Sequence, residues 1–277
     1  MRGPTFFKGY VPSKNDVFVA TQARSGTNWM MQISLQIIHH GQAEYEYIYD
    51  MIPWPDFFLS TSIALDDPQP PSPTGLRVIK THLEAPFVPV NDAAKYICVI
   101  RDPKEFFVST YHFFPQTLGN LGLQQPTPDE WYELFMSNLV PLGSWLEHTA
   151  SWWALRHKPN VMIIPFHKLK ADMEGHIDQL ATFLGVELTA EARTAVIEKS
   201  SFAYMRQLNH KLSPIVGGGP VIEIVRKGQA DGGRELLDAK RGNALDAYCK
   251  QELQRLGSDF PFDEFFAHKE FGKIYDQ

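Results

Sequence analysis

The sequence predicts an α/β fold: one domain over residues 1–277, with a central, mostly parallel sheet flanked by helices. Two observations support this. Short apolar segments, typical of buried strands, alternate along the chain with longer segments whose apolar residues recur at helical spacing. The length suits one large α/β domain or two small ones, and no linker or internal repeat divides the chain. Alternation of this kind indicates a sheet covered by helices on both faces.

The individual elements follow from the same patterns. Predicted strands cover residues 17–21, 77–81, 95–100 and 161–165. Predicted helices cover residues 27–40, 102–114, 170–184 and 189–198. Asp102 and Thr189 are N-cap candidates for two of these helices, and Pro103 suits a first helical turn. The Pro-rich segment 66–75 predicts a surface loop, and the three glycines within 213–223 predict a loop or lid.

Composition excludes several classes of protein. A net charge of −6 argues against a nonspecific nucleic-acid binder. The two cysteines, Cys98 and Cys249, have neither disulfide nor metal-site spacing, which fits a reducing compartment. The sequence also lacks a secretory leader pattern and a run of about 18 apolar residues. We therefore expect a cytoplasmic protein without a membrane span and without a metal site; the oligomeric state stays open.

The segment TQARSGTNW, residues 21–29, joins the first predicted strand to the first predicted helix. Backbone N–H groups and hydroxyls at such a junction can hold an anion at the helix N-terminus. A Walker A loop would place Lys after the glycine, but Thr27 follows Gly26, and the basic residue, Arg24, precedes it. An ordinary N-cap turn with a surface arginine would give the same pattern.

Three further segments carry candidate ligands. Lys80 and His82 end a predicted strand, where ligands bind in open α/β sheets, and His82 could act as a general base; a structural histidine is the alternative. Arg101 and Ser109, eight residues apart, could hold a phosphate, or Arg101 could simply pair with an acidic neighbour. The triplet Arg226-Lys227-Gly228 offers two cations beside a glycine, or is a solvated turn.

Together these segments resemble the cytosolic sulfotransferase family, which uses the sulfonate donor PAPS (3′-phosphoadenosine 5′-phosphosulfate). The similarity runs from about residue 16 to residue 266. It is carried by segments in the family's order: TQARSGTNW, KTHLE (80–84), the Arg101–Ser109 pair, GSWLEHTASWW (143–153), SSFAYM (200–205) and the RKG turn (226–228).

The resemblance implies a P-loop-like phosphosulfate loop and PAPS as cofactor, with PAP as its desulfonated product. Residues implied for cofactor binding are Arg24, Ser25, Gly26, Thr27, Asn28, Trp29, Arg101, Ser109, Ser200, Phe202, Arg226, Lys227 and Gly228. His82 would accept the proton of the attacking hydroxyl, while Lys80 and Arg24 would stabilise developing charge. Fixed cations would cover that charge, so no metal is expected.

The acceptor is predicted to be a small phenol, alcohol or lipid-like molecule. Residues implied for acceptor binding are Pro53, Trp54, Phe57, His112 and Phe113; packing in the core is the alternative for the phenylalanines. Arg24 stands where the family carries Lys, Asp231 and Gly233 replace a Gly and a Trp after the RKG turn, and the family's dimer motif has no clear counterpart. The replacement of Lys by Arg24 and the altered segment 229–234 support one alternative, a non-catalytic PAP-binding module. A P-loop nucleotide kinase is a second alternative, against which the absence of a G-K-[ST] step argues.

Overall fold

The structure, a computed structural model, describes residues 6–57, 62–120, 122–140, 143–214, 221–224 and 236–266. Its sheet has four strands: β1 Asp16–Ala20, β2 Arg77–Thr81, β3 Lys95–Ile100 and β4 Val161–Pro165. The strands lie in the order β2-β1-β3-β4, and each neighbouring pair is parallel. The predicted fold class is thus confirmed, and so are the four predicted strands, with β1 beginning one residue early.

Helices surround this sheet. They are α1 Thr27–Ile38, α2 Pro103–Asn120, α3 Pro128–Met136, α4 Trp145–Trp153, α5 Phe166–Ala171, α6 Met173–Leu184, α7 Ala190–Ser200, α8 Phe202–Gln207, α9 Asn209–Leu212, α10 Ala239–Arg255 and α11 Phe262–Phe266. The prediction of one helix over 170–184 is wrong. The helix is interrupted at Asp172, whose carboxylate caps α6 by accepting the N–H of Gly175 at 2.9 Å. Helix α2 also continues past residue 114, to Asn120.

Separate cores cover the two faces of the sheet. Side chains alternate along β1, so Phe18 packs with α2, α3, α4 and α10, whereas Val17 and Val19 pack with α1, α6 and α7. Each large apolar side chain buried in this way contributes about 1.5–3 kcal/mol. Both cysteines are free and buried in the core. Among the described helices, none is long and apolar enough to cross a membrane.

The strand order determines where a ligand can bind. The chain runs from β1 to its neighbour β2 on one side and later returns to β3 on the other side. An order of this type opens a crevice between the carboxyl ends of β1 and β3. Three of the predicted site segments follow β1, β2 and β3 directly, and they therefore meet at one edge of the sheet.

Candidate active site

The loop between β1 and α1 is held from both sides by residues at the ends of neighbouring strands. An Nη1–H of Arg101, which follows β3, donates to the carbonyl oxygen of Arg24 at 2.8 Å. The Nδ1–H of His82, which follows β2, donates to the carbonyl oxygen of Thr21 at 2.6 Å. The fold thus brings Arg24, His82 and Arg101 together, as the sequence predicts from their positions after strands.

Residues 24–29, here named the anion cradle, have an unusual backbone. Arg24 and Gly26 adopt positive φ angles of 67° and 93°. A Cβ added at Gly26 would lie only 2.8 Å from the ring of Phe166, so glycine is required both by conformation and by space. No side chain caps the N-terminus of α1, which leaves its first N–H groups available to an anion.

Hydroxyl groups in and beside the cradle fit a bound nucleotide. The Oγ atoms of Ser25 and Ser200 are buried and have no hydrogen-bond partner among the described residues. A buried hydroxyl without a partner is costly, so such atoms are suited to a polar ligand. The backbone N–H of Ser25 is not available, because it donates to the carbonyl oxygen of Gln22 at 3.0 Å.

Other cradle side chains stabilise the loop itself. The hydroxyls of Thr21 and Thr27 are hydrogen-bonded at 2.5 Å, and the Asn28 amide donates to the carbonyl oxygen of Leu212 at 3.1 Å. For Asn28, the backbone N–H at the start of α1 is therefore the group better placed to meet an anion.

The family resemblance also implies that Trp29 and Phe202 flank the adenine of PAPS, and both residues lie near Ser200. The indole N–H of Trp29 donates to the Ser200 carbonyl oxygen at 2.8 Å, which fixes the orientation of that ring. Phe202 follows at the start of α8 with 42% of its surface exposed, so part of its ring is accessible to a ligand. The uncapped helix, the two buried hydroxyls and the exposed ring suit a nucleotide.

The structure describes part of the second predicted anion site, namely Arg101 and Ser109. Arg101 forms an ion pair with Glu105, one helical turn into α2, at 3.2 Å. The alternative drawn from the sequence was that Arg101 pairs with Asp102. Asp102 instead accepts the backbone N–H of Lys104 at 2.8 Å and caps the helix. Ser109 accepts a hydrogen bond from Nε of Arg24 at 3.2 Å, which links the two anion sites. Arg226, Lys227 and Gly228 lie outside the described residues.

Phe166, at the start of α5, is a site residue that the sequence reasoning missed. Its ring lies beneath Gly26, 4.7 Å from the guanidinium carbon of Arg101 and 5.9 Å from the Trp29 ring. It therefore supports both anion sites and the predicted adenine site. Its position directly after β4, at the carboxyl edge of the sheet, is the signal that could have identified it.

His82 has its tautomer fixed by its surroundings. A carbonyl oxygen can only accept, so the bond to Thr21 places the proton on Nδ1 and leaves a lone pair on Nε2. Burial lowers the pKa of His82 well below its ordinary value of 6.5, and the positive charge of Lys80 lowers it further, against the opposing effect of the Thr21 bond. The imidazole is therefore neutral at pH 7 and able to accept a proton.

Lys80 is enclosed by aromatic side chains. Its Nζ donates to the hydroxyl of Tyr49 at 2.7 Å and lies 3.2 Å from the ring centroid of Trp54. Only 3% of the residue is exposed, and burial lowers the pKa of Lys80 well below 10.5. The Asp56 carboxylate acts in the opposite direction and raises this pKa, whereas the charge of Arg24 lowers it further.

Asp56 and His148 complete the surroundings of His82, and sequence reasoning identified neither. Asp56 accepts the backbone N–H of His82 at 2.9 Å, and burial raises its pKa from 3.8 to about 6. His148, on α4, is buried, has no partner for Nε2 among the described residues, and has its pKa lowered to about 3 by burial. We name Tyr49, Trp54, Asp56, Lys80 and His82 the His82 cluster.

Of the predicted acceptor residues, Trp54 and Phe57 lie beside His82 and Phe113 lies beside Arg24. The other two, Pro53 and His112, make different contacts. Trp54 lies against His82 at 5.1 Å between ring centroids, and Phe57 stacks on Trp54 at 4.3 Å. Phe113 lies 4.6 Å from the guanidinium carbon of Arg24, also beside the site. The Pro53 carbonyl oxygen accepts the backbone N–H of Lys80 at 2.9 Å, so this residue acts through its backbone. His112 packs against Tyr111 at 5.5 Å.

Comparisons with known proteins agree with this architecture. A family model described as a sulfotransferase domain matches residues 14–257. Sulfotransferase 2B1 of Mus musculus is 28% identical over 259 residues, covering 90% of this chain and 74% of that protein. Sulfotransferase 1A1 of Canis lupus familiaris is 26% identical, covering 89% of this chain and 86% of that protein.

Solved structures show the same fold. The crystal structure of mouse sulfotransferase SULT7A1 complexed with PAP superposes with a TM-score of 0.72 at 21% identity, covering 96% of this chain and 93% of that chain. The crystal structure of retinol dehydratase with retinol and PAP also gives a TM-score of 0.72 at 21% identity, covering 92% and 87%. At this identity the likeness establishes the fold.

Proposed function

Because this chain belongs to the sulfotransferase family, we propose that it transfers a sulfonate group from PAPS to a hydroxyl of a small-molecule acceptor, with His82 as the general base. Family membership makes the chain a PAPS-dependent sulfotransferase; the acceptor class and the roles of individual residues are what we add. The observation that supports His82 most strongly is its hydrogen bond to Thr21, which leaves Nε2 free to accept a proton.

The anion cradle and its neighbours would hold the donor. When bound, PAPS supplies a sulfonate group attached to a phosphate that can leave. The N-terminus of α1, Gly26 and the hydroxyl of Ser25 are suited to the 5′-phosphosulfate. Arg101 and Ser109, with Arg226, Lys227 and Gly228 from beyond the described residues, are assigned to the 3′-phosphate. Trp29, Ser200 and Phe202 are assigned to the adenine.

His82 would act on the acceptor hydroxyl. Its imidazole is neutral at pH 7, so Nε2 can take the hydroxyl proton as the oxygen attacks sulfur. The imidazolium that forms keeps its Nδ1–H on the Thr21 carbonyl oxygen, which holds the ring in place throughout the transfer.

Two cations would stabilise the negative charge that develops during transfer. The ammonium of Lys80 and the guanidinium of Arg24 both lie close enough to His82 to lower its pKa by their charge. Fixed charges in a site with little water stabilise a transition state more than they would in solution. Arg24 remains protonated at any working pH, so its contribution is electrostatic and it does not donate a proton to the leaving phosphate.

The acceptor that fits this site is flat or elongated and apolar, with one reactive hydroxyl. The aromatic side chains of Trp54, Phe57 and Phe113 lie beside His82 and Arg24 and make the surroundings of the base apolar. Retinol dehydratase, which has the same fold, was crystallised once with retinol and once with androsterone. We therefore infer a phenol, an alcohol or a lipid-like alcohol.

The assignment is tested with radiolabelled PAPS and a panel of phenols, alkyl alcohols, sterols and sugars. We expect labelled product with an apolar hydroxyl acceptor, and loss of turnover in His82→Gln. The variant His157→Gln, which changes an exposed histidine, is the matched control. Tight PAP binding without turnover of any acceptor would instead favour a binding module, and phosphorylated product from ATP and Mg²⁺ would favour a kinase.

We also propose that residues 1–277 form this one domain and that the protein acts in the cytoplasm. The family model covers residues 14–257, and both cysteines are free, which suits a reducing compartment. Cell fractionation of the full chain would test its location, and limited proteolysis would test whether the chain behaves as one unit.

A further inference from the structure

The segment that follows Pro53 runs along the free edge of the sheet, beside β2. The backbone N–H of Lys80 donates to the Pro53 carbonyl oxygen at 2.9 Å, as it would to a neighbouring strand. Two residues later, the N–H of His82 donates to the Asp56 carboxylate, also at 2.9 Å. The side chain of Asp56 thus supplies the acceptor at the position where a strand would offer its next carbonyl oxygen.

This bond makes Asp56 the second anchor of His82. The first is the Thr21 carbonyl oxygen, which fixes the imidazole from the β1 side. Asp56 fixes the backbone of the same residue from the acceptor side, between Trp54 and Phe57, and the Thr81 hydroxyl stabilises its carboxylate. Movement of residues 54–57, which include two of the predicted acceptor residues, would therefore move His82.

The carboxylate also acts on Lys80. The ammonium lies in a pocket whose direct partners, the Tyr49 hydroxyl and the Trp54 ring, are neutral. A buried ammonium without a counter-charge is unstable. Among the described residues, the charged and titratable groups around this pocket include Asp56, Lys80, His82 and the Tyr49 hydroxyl, together with Arg24 from the cradle and His148 from α4. Arg24 is a cation, the histidines are neutral at pH 7, and Asp56 provides negative charge.

We propose that Asp56 is a positioning residue of the transfer reaction: its carboxylate anchors the backbone of His82 and provides the counter-charge for the buried ammonium of Lys80. This rests on the proposed function, because it assigns roles around the same base and cation. The Oδ1 atom of Asp56, buried and without a partner among the described residues, leaves the carboxylate with unused capacity to accept a hydrogen bond.

Asp56→Asn separates the two roles. The amide oxygen can still accept the N–H of His82, so the backbone anchor is retained, but the charge is removed. Without that charge, Lys80 loses its proton at lower pH. Each unit by which its pKa falls reduces the protonated fraction on the alkaline side about tenfold. Asp56→Ala removes both roles.

The first experiment measures kcat against pH with PAPS and one fixed phenol. In the native protein, Asp56 is ionised above about pH 6, so its charge keeps Lys80 protonated as the pH rises. In Asp56→Asn we expect an alkaline limb that begins at lower pH, and kcat at pH 8 reduced about tenfold. Calorimetric PAP affinity should be unchanged, because Asp56 lies outside the anion cradle.

The matched control is Asp67→Asn. Asp67 also accepts a backbone N–H through its carboxylate, from Ala64 at 2.9 Å, but in an exposed loop. Its pH profile should match that of the native protein. If Asp56→Asn also matches the native profile while Asp56→Ala is impaired equally at every pH, Asp56 is a structural anchor and the counter-charge role is wrong.

A second readout does not depend on turnover. Lysine labelled with ¹³C reports the charge state of Lys80 by NMR, with its signal assigned by loss in Lys80→Met. We expect the Lys80 titration to move to lower pH in Asp56→Asn and to stay in place in Asp67→Asn. An unmoved titration would overturn the inference. A shifted titration in a protein that sulfonates no acceptor would support the charge coupling and contradict the proposed function.

Discussion

The anion cradle and the His82 cluster lie side by side, yet they use different chemistry. The cradle consists of backbone N–H groups, hydroxyls and a strained loop, and within the described part of the chain two of its nearby hydroxyls lack partners. The cluster combines Trp54 with four titratable residues whose pKa values are shifted, and hydrogen bonds join Lys80 to Tyr49 and His82 to Asp56. A preformed polar surface suits a polyanion, whereas a buried charged cluster suits proton transfer and charge stabilisation.

The difference predicts that substitutions in the cluster will lower kcat, whereas those in the cradle will first weaken nucleotide binding. Arg24 belongs to the cradle, but its charge also lowers the pKa values of Lys80 and His82. Its substitution should therefore lower both kcat and nucleotide affinity. Turnover and PAP affinity, measured on the same variant, distinguish the two kinds of effect.

The largest effect is expected for Lys80→Met. The substitution keeps an apolar chain of similar length in the aromatic pocket and removes the charge, so kcat should fall about 100- to 1,000-fold. PAP affinity should change little. Lys95→Met is the matched control, because Lys95 also lies against an aromatic ring, that of Phe183 at 5.0 Å, but at the start of β3. Equal losses in both variants would contradict a catalytic charge at Lys80.

Arg24→Ala should lower kcat more than it lowers PAP affinity, because the charge of Arg24 matters most as negative charge develops. The residue also donates to Ser109 and to the Ile224 carbonyl oxygen, each at 3.2 Å, so some affinity should be lost as well. Stopped-flow turnover and calorimetry separate the two effects. An unchanged kcat would show that Arg24 is not a catalytic cation.

Gly26→Ala tests the cradle by itself. The added Cβ would meet the Phe166 ring at 2.8 Å in a backbone conformation with φ of +93°. Strain of this kind costs about 1–3 kcal/mol, so PAP affinity should fall about 10- to 100-fold. Gly75→Ala shares the positive φ, +72°, but nothing lies within 4 Å of the added atom. If that control weakens PAP binding equally, the contact with Phe166 is not what matters.

The smallest effect concerns stability. The pKa of His148 is about 3 in the folded protein and about 6.5 when unfolded, so between these values the unfolded chain binds more protons. The free energy of unfolding should therefore decrease as pH falls below 6.5, by at most about 1.4 kcal/mol per pH unit from this residue. His148→Gln should flatten that slope in urea titrations between pH 6.5 and 5. An unchanged slope would show that His148 does not contribute to it.

Local pattern was sufficient to predict the fold and the cradle. The strands are short apolar runs, and the segment 21–29 has its polar residues at a strand-to-helix junction, where backbone N–H groups can bind an anion. The helix break at Asp172 was missed, because an N-cap residue and a helix-interior aspartate look alike without the tertiary context.

The His82 cluster could be predicted only in part. Lys80 and His82 end a strand and were found on that ground, but Asp56 reaches His82 from 26 positions earlier in the chain, and His148 approaches it from a helix. Phe166 likewise joins Gly26 and Arg101 across the sheet. These contacts depend on how separate elements pack, and the sequence signals only the position of Phe166, directly after a predicted strand.

The central claim is that His82 is a neutral base whose Nε2 carries the lone pair. The most direct measurement is ¹⁵N NMR of the imidazole, with signals assigned by His82→Gln and followed from pH 8 down to pH 5. We predict a protonated Nδ1 and an unprotonated Nε2 at pH 7, with no titration near 6.5. An imidazolium at pH 7, or a proton on Nε2 and not on Nδ1, would contradict the role of His82 as the base.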